Sequence, residues 1–162
     1  MALSIAIRSA VASDIASLTT LFEVLDEHHR LALPEVFRKP TRAQRERSCL
    51  DWIIAGPDRA ILVAEGTDEK IAGLVVLIAR SIPANVVRDA RQFVEIDQLV
   101  VGVRARRYGV GRSLIDASKA WARQRGISQL EVSAWSFNVE TIEFYRKLGF
   151  QRTTERFAMS SA

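Results

Sequence analysis

The chain has 162 residues and a formal net charge of +4, and arginine supplies 19 of its 23 basic residues. This length predicts a single domain over residues 1–162, and 48% apolar with 26% charged residues excludes a disordered chain. The positive charge suits an anionic ligand, although a merely solvated surface accounts for it equally well.

Three features predict a protein of the cytoplasm rather than a secreted or membrane protein. The single Cys49 excludes an internal disulfide and lies on the apolar side of a predicted helix, which indicates a buried thiol in a reducing compartment. The apolar residues 2–7 follow no basic stretch, so no signal peptide is expected. The longest apolar run, residues 71–79, is too short to span a bilayer.

The first third of the chain predicts a strand followed by two helices. Residues 3–10 alternate as a strand does, and Asp14 then offers an N-cap to a helix with apolar residues at helical spacing. After a loop over residues 32–40, Thr41 and the glutamine three residues later form a capping-box pattern. They begin a second helix, which ends at the Gly-Pro pair at 56–57.

The rest of the chain predicts strands alternating with helices. Two β-rich runs are joined by a hairpin turn over residues 66–70, and a polar stretch then leads to a long strand. The resulting order, β-α-α-β-β-β-α-β-α-β, predicts a mixed α/β sheet. The predicted elements are strands over 60–65, 71–80 and 92–101, a helix over 110–126, a strand over 129–135, a helix over 139–149 and a last strand over 150–159.

The turn between the long strand and the next helix predicts a phosphate site. Glycines let the backbone approach a ligand closely, and the free N–H groups of a helix N-terminus attract an anion. Arginines add bidentate contacts to phosphate. The turn contains four arginines around two closely spaced glycines, namely Arg104, Arg106, Arg107 and Arg112 with Gly109 and Gly111.

Two motifs give the turn a family resemblance. The sequence has neither a P-loop nor a dinucleotide fingerprint. The pattern Arg106-x-x-Gly109-x-Gly111 instead resembles the [QR]-x-x-G-x-[GA] signature of the GNAT superfamily of acetyl-CoA-dependent N-acetyltransferases. The segment "NVETIEFYRKLGF" over residues 138–150 is similar to the family's N-x-x-A-x-x-F-Y-x-K-x-G-F ending, with Thr141 in place of the usual alanine. The resemblance extends over residues 59–157.

The resemblance implies a mixed, mostly antiparallel sheet flanked by helices, and a binding site for acetyl-CoA. In this family the strand before the turn pairs through its backbone with the pantetheine arm, and the turn holds the pyrophosphate. The implied acetyl-CoA contacts are Leu99, Val100 and Val101 on the strand, Arg106, Arg107, Tyr108, Gly109, Val110, Gly111 and Arg112 in the turn, and Asn138 and Tyr145 beyond it.

The resemblance also implies direct attack of a primary amine on the thioester. Tyr145 stands at the family's tyrosine position and is the candidate general acid for the leaving thiolate; a core aromatic is the alternative. A backbone N–H at a bulge in the long strand would stabilise the oxyanion. Glu95 is the candidate general base, Asp97 is the second candidate, and ordered water is a third. A solvated strand carboxylate remains the alternative for Glu95.

The acceptor amine is not specified by any motif. In this family the first two helices and the loop before the long strand shape its site, here residues 14–56 and 81–91. Acidic residues of the first helix would attract a cation but also suit a solvated face, and His28 and His29 either line this side or lie on the surface. A protein N-terminus, a lysine, a polyamine and an aminoglycoside all stay open. The acidic residues are Glu23, Asp26 and Glu27.

Two other functions compete with acetyl transfer. A module of the same fold could bind acyl-CoA without catalysis, and the arginine content would suit a nucleic-acid-binding protein. The second is disfavoured because the basic residues are spread through the chain and no binding motif accompanies them. The expected partners are thus acetyl-CoA and an amine, with no nucleic acid, membrane or metal ion, and a homodimer is left open.

Overall fold

The computed structural model describes residues 5–66 and 71–160. Over these ranges the chain forms five strands and four α-helices. In chain order they are β1 (Ala6–Ser9), α1 (Ile15–Ala32), α2 (Arg42–Ile53), β2 (Arg59–Glu65), β3 (Gly73–Ile82), β4 (Arg91–Val101), α3 (Val110–Arg123), β5 (Leu130–Val132) and α4 (Val139–Lys147).

The strands form one sheet in the order β1-β2-β3-β4-β5. The first three pairings are antiparallel, and β5 lies parallel to β4. This confirms the predicted mixed, mostly antiparallel α/β fold. β2 and β3 pair as the two arms of a hairpin, while the turn predicted between them lies largely outside the described residues.

The sheet is buried on both faces, which explains why β2 and β3 are apolar almost throughout. One core cluster packs α3 and α4 against the sheet and includes Leu114, Ile115 and Trp121. The other packs α1 and α2 against the opposite face and includes Leu18, Phe22 and Cys49. Burial raises the pKa of the Cys49 thiol, as expected of a structural cysteine.

The two predicted helix starts differ in how they are capped. The Thr41 hydroxyl accepts from the Gln44 amide at 3.2 Å and the Gln44 side chain accepts from the Thr41 amide at 2.9 Å, so the capping box is confirmed. Asp14 precedes α1, but its side chain is only 1% exposed and accepts from the Val11 amide and the Arg8 guanidinium instead of the helix amides. Its main role is therefore a buried ion pair.

The strand predicted over residues 150–159 is not formed. Within the described residues this segment pairs with no strand, and from residue 151 onward it is exposed. Six consecutive polar residues, 151–156, leave it without an apolar face to bury, so strand propensity alone is not enough. Among the described helices, none has both the length and the apolar character needed to cross a membrane.

Candidate active site

A bulge in β4 determines where the sheet opens. Val76 of β3 pairs with Gln98 and Leu77 pairs with Ile96, which leaves Asp97 as an extra residue without a partner on β3. The extra residue shifts the alternation of side chains along β4. Ile96 faces α3 before the bulge and Leu99 faces α3 after it, although the two are an odd number of residues apart.

The parallel strands β4 and β5 pair only as far as Ile96 and Val132. Beyond that point the following residues of both strands, 97–99 and 133–135, line a cleft of about 500 Å³. The cleft is bordered by α1 on one face of the sheet and by Tyr145 of α4 on the other, so it lies in the opening between the two strands.

The turn after β4 presents free backbone amides. A short 3₁₀ turn over Val103–Ala105 leads to two residues with positive φ, Arg107 at 70° and Gly109 at 85°, and α3 begins directly afterwards. Within the described residues, the amides of the first helical turn, Val110–Arg112, have no hydrogen-bond acceptor. The turn therefore leaves free the helix N-terminal amides that an anion site requires.

The arginines of this turn are available to an anion. Arg104, Arg106, Arg107 and Arg112 are exposed, and none forms an ion pair in the described part of the chain. The Arg106 Nε donates to the carbonyl of Val101 at 3.3 Å, which ties the turn to the end of β4. The turn and the open edge of β4 are thus continuous.

The two glycines of the motif have different structural roles. Gly109 needs its left-handed backbone, and a Cβ there would meet nothing within 4 Å. A Cβ on Gly111 would lie 3.0 Å from Cζ of Phe144, so this glycine allows α3 and α4 to pack closely. Sequence reasoning assigned Gly111 only to ligand approach and missed this contact.

Tyr145 lies between the core and the cleft. Its side chain is 6% exposed, its ring packs against Phe144 and Phe150 with centroids 5.3 Å away, and it lines the cleft. Its hydroxyl forms no hydrogen bond with any described residue. Burial raises the pKa of Tyr145, so the phenol stays protonated well above neutral pH.

The two candidate bases occupy different places. The Glu95 carboxylate accepts from the Arg80 guanidinium at 2.6 Å and does not line the cleft. Asp97 does line the cleft, forms no ion pair among the described residues, and its side chain accepts only from the side-chain Nε2 of Gln98 at 3.2 Å. Asn138, which precedes α4, also lines the cleft.

A sequence model of the Acetyltransferase (GNAT) family matches residues 21–150. The chain belongs to this family. The match covers both the arginine turn and the ending that carries the resemblance, which supports acyl transfer as the general function. No match to a curated protein was found.

Solved structures share the GNAT fold along nearly the whole chain. A tetramutant of the BH1408 protein from Bacillus halodurans superposes with a TM-score of 0.90 at 22% identity, covering 96% of this chain and 99% of that one. The aminoglycoside N-acetyltransferase AAC(6')-Iy in complex with CoA gives 0.78 at 17% identity, covering 99% and 97%. The 6'-N-acetyltransferase AAC(6')-IG from Acinetobacter haemolyticus gives 0.73 at 19%, covering 97% and 98%. At these identities the likeness shows the fold alone.

Of the segments that the sequence analysis assigned to the acceptor, only some line this cleft. Helices α1 and α2 and the loop between them line the cleft, and they contribute His29 but not His28. Residues 81–91 do not line it; several of them border a second, open depression beside Gly126. The cleft-lining aromatic residues Phe37 and Trp135 were not singled out, because neither lies in a recognised motif. Among the described residues no three His, Cys, Asp or Glu side chains could hold a metal ion.

The packing role of Gly111 predicts a coupling to Phe144. Gly111→Val should lower the free energy of unfolding by about 1–3 kcal/mol through overpacking, and Phe144→Leu in the same chain should recover part of that loss. Gly109→Ala should lower the free energy of unfolding by about 1 kcal/mol, because alanine is strained in the left-handed backbone there, and Phe144→Leu should not recover that loss. Urea unfolding of the single and double variants measures these free energies. Additive effects of Gly111→Val and Phe144→Leu would contradict the contact.

Proposed function

We propose that this single-domain protein is an N-acetyltransferase that transfers the acetyl group of acetyl-CoA to a primary amine. The observation that carries the proposal is the cleft itself, where a buried phenol lies beside the open edge of β4 with a carboxylate that forms no ion pair with any described residue. An anion-binding turn follows directly on the same strand. The cytoplasm stays the predicted location.

The residues present fit acetyl-CoA as the acetyl donor. The free amides of Val110–Arg112 and the exposed arginines of the turn suit its pyrophosphate. Beyond Ile96, β4 has β3 on one side only, so alternate backbone groups of Leu99–Val101 face the open edge, where the amide-bearing pantetheine arm could pair with them. The Val101 carbonyl, which accepts from the Arg106 Nε, would exchange that contact for one with the ligand. The thioester would then lie in the opening between β4 and β5.

The residues around that opening suit direct attack by the amine. Asp97 would first take one proton from the ammonium group, which frees the nitrogen lone pair to bond to the thioester carbon; the second N–H proton then passes to solvent as the amide forms. Asp97 is favoured over Glu95 because only Asp97 lines the cleft. A backbone N–H at the bulge would stabilise the oxyanion. When the C–S bond breaks, the Tyr145 hydroxyl would donate its proton to the departing thiolate.

Nucleic acid is not the partner that this charge distribution favours. Of the 15 arginines outside the turn, eight form ion pairs with carboxylates of the described residues, so about half of the arginine charge there is compensated locally and the rest is spread over the chain. A module that binds acyl-CoA without turnover is the alternative to an enzyme, and the assay below separates the two.

Tyr145→Phe tests the proposed acid. Release of free thiol from acetyl-CoA with an amine panel should fall by up to about 10²–10⁴-fold in the variant, while the Michaelis constant for acetyl-CoA hardly changes. Because burial raises the pKa of Tyr145, the wild-type rate should show no alkaline decline from this group below pH 10. Equal turnover of variant and wild type, with chemistry rate-limiting, would remove Tyr145 from the mechanism.

Asp97→Asn and Glu95→Gln form a matched pair for the base. Asp97→Asn should lower kcat/KM for the amine about 10²-fold at neutral pH and recover as the pH rises, because the amine then loses its proton to solvent. Glu95→Gln loses only a partly exposed ion pair with Arg80 and should behave nearly as wild type. If Glu95→Gln loses more activity than Asp97→Asn across the pH series, Glu95 is the base. If both variants keep the wild-type pH profile, ordered water is the base.

A further inference from the structure

Four aromatic rings from three separate segments meet at the acceptor side of the cleft. His29 of α1 and Phe37 of the following loop have ring centroids 4.9 Å apart, and Phe37 meets Trp135 edge-on at 5.3 Å. Phe137 stacks behind Trp135 at 6.4 Å and contacts His29 at 5.9 Å. We call these four residues the ring wall; His29, Phe37 and Trp135 line the cleft.

The ring wall is held in place yet open to a ligand. Trp135 is 46% exposed although it is packed between Phe37 and Phe137. A side chain already fixed by its neighbours loses little conformational freedom when it binds, so its exposed face is a favourable surface for an apolar group. Burial also lowers the pKa of His29, which keeps this ring uncharged at neutral pH.

The charges around the cleft do not suit a polycation. Four of its lining residues other than histidine are ionised, two of each sign. Asp26 is occupied by Arg45, whose Nε donates to it at 3.0 Å. Of the other two, Arg38 would repel an ammonium group, and Asp97 is the one lining carboxylate without an ion pair in the described part of the chain. A single available carboxylate suits a substrate with one ammonium group better than one with several.

We propose that the acceptor is a monoamine carrying a flat aromatic group, which packs on the ring wall while its amine reaches Asp97. This inference rests on the proposed acetyl transfer and specifies its substrate class. Trp135 is then a specificity-determining residue, because it presents the most exposed ring of the cleft-lining set to the aromatic group.

The test compares aromatic, aliphatic and polycationic amines with the full-length protein. Thiol release at saturating acetyl-CoA is measured with tryptamine, 2-phenylethylamine, butylamine and spermidine. The aromatic monoamines should exceed butylamine in kcat/KM by about tenfold, which corresponds to the upper range of a specific ring contact. Trp135→Ala should remove most of that advantage through KM, and its effect on kcat/KM for butylamine should be several-fold smaller than its effect on the aromatic amines. Trp135→Phe should keep most of it.

Phe157→Ala is the matched control. Phe157 is 87% exposed and does not line the cleft, so its loss should affect all four amines alike and only slightly. Acetyl-CoA affinity should stay the same in every variant, which separates a substrate contact from a general loss of structure.

A second readout distinguishes this proposal from the proposed function. Titration calorimetry measures binding of tryptamine to wild type and Trp135→Ala in the presence of CoA. If tryptamine binds wild type but not Trp135→Ala, and no amine is turned over, the result supports the ring wall and contradicts acetyl transfer. Turnover that favours spermidine or butylamine, or that falls equally for all amines in Trp135→Ala, overturns the ring wall and keeps acetyl transfer. If tryptamine does not bind and no amine is turned over, both the ring-wall proposal and acetyl transfer are overturned.

Discussion

The one extra residue at Asp97 in β4 is the constraint on which the site depends. A regular strand would keep one set of alternate side chains on each face, whereas here Ile96 and Leu99 both pack toward α3. Pairing with β5 ends at the residue before the bulge. The backbone of β4 is thereby left with an open edge that a ligand can use, at the cost of a short β5 and a sheet that is incomplete beyond Ile96.

The remaining parts of the site follow from the end of that strand. β4 leads directly into the arginine turn, whose left-handed residues Arg107 and Gly109 turn the chain into α3 with its first amides free. Gly111 then allows Phe144 to approach, which places α4 against α3 and brings Tyr145 to the cleft. The arginine turn and the position of the phenol are thus linked through one helix contact.

Local patterns in the sequence predicted the sheet class, the capping box at Thr41 and the arginine turn, because each depends on residues near one another. They did not predict the absence of a strand after residue 150, since strand formation needs a pairing partner. Neither did they distinguish Asp97 from Glu95, because an ideal strand places both on one side and only the bulge and the Arg80 ion pair separate them. The ring wall brings together residues about 100 positions apart, such as Phe37 and Trp135, so no local pattern could indicate it.

Amide hydrogen exchange with and without acetyl-CoA tests the central claim, that the donor lies along the open edge of β4 and on the turn that follows it. We expect acetyl-CoA to slow exchange in residues 98–101 and 110–112, whereas β2 and β3, already paired on both sides, should change little. Protection confined to other parts of the chain, with acetyl-CoA bound, would contradict it.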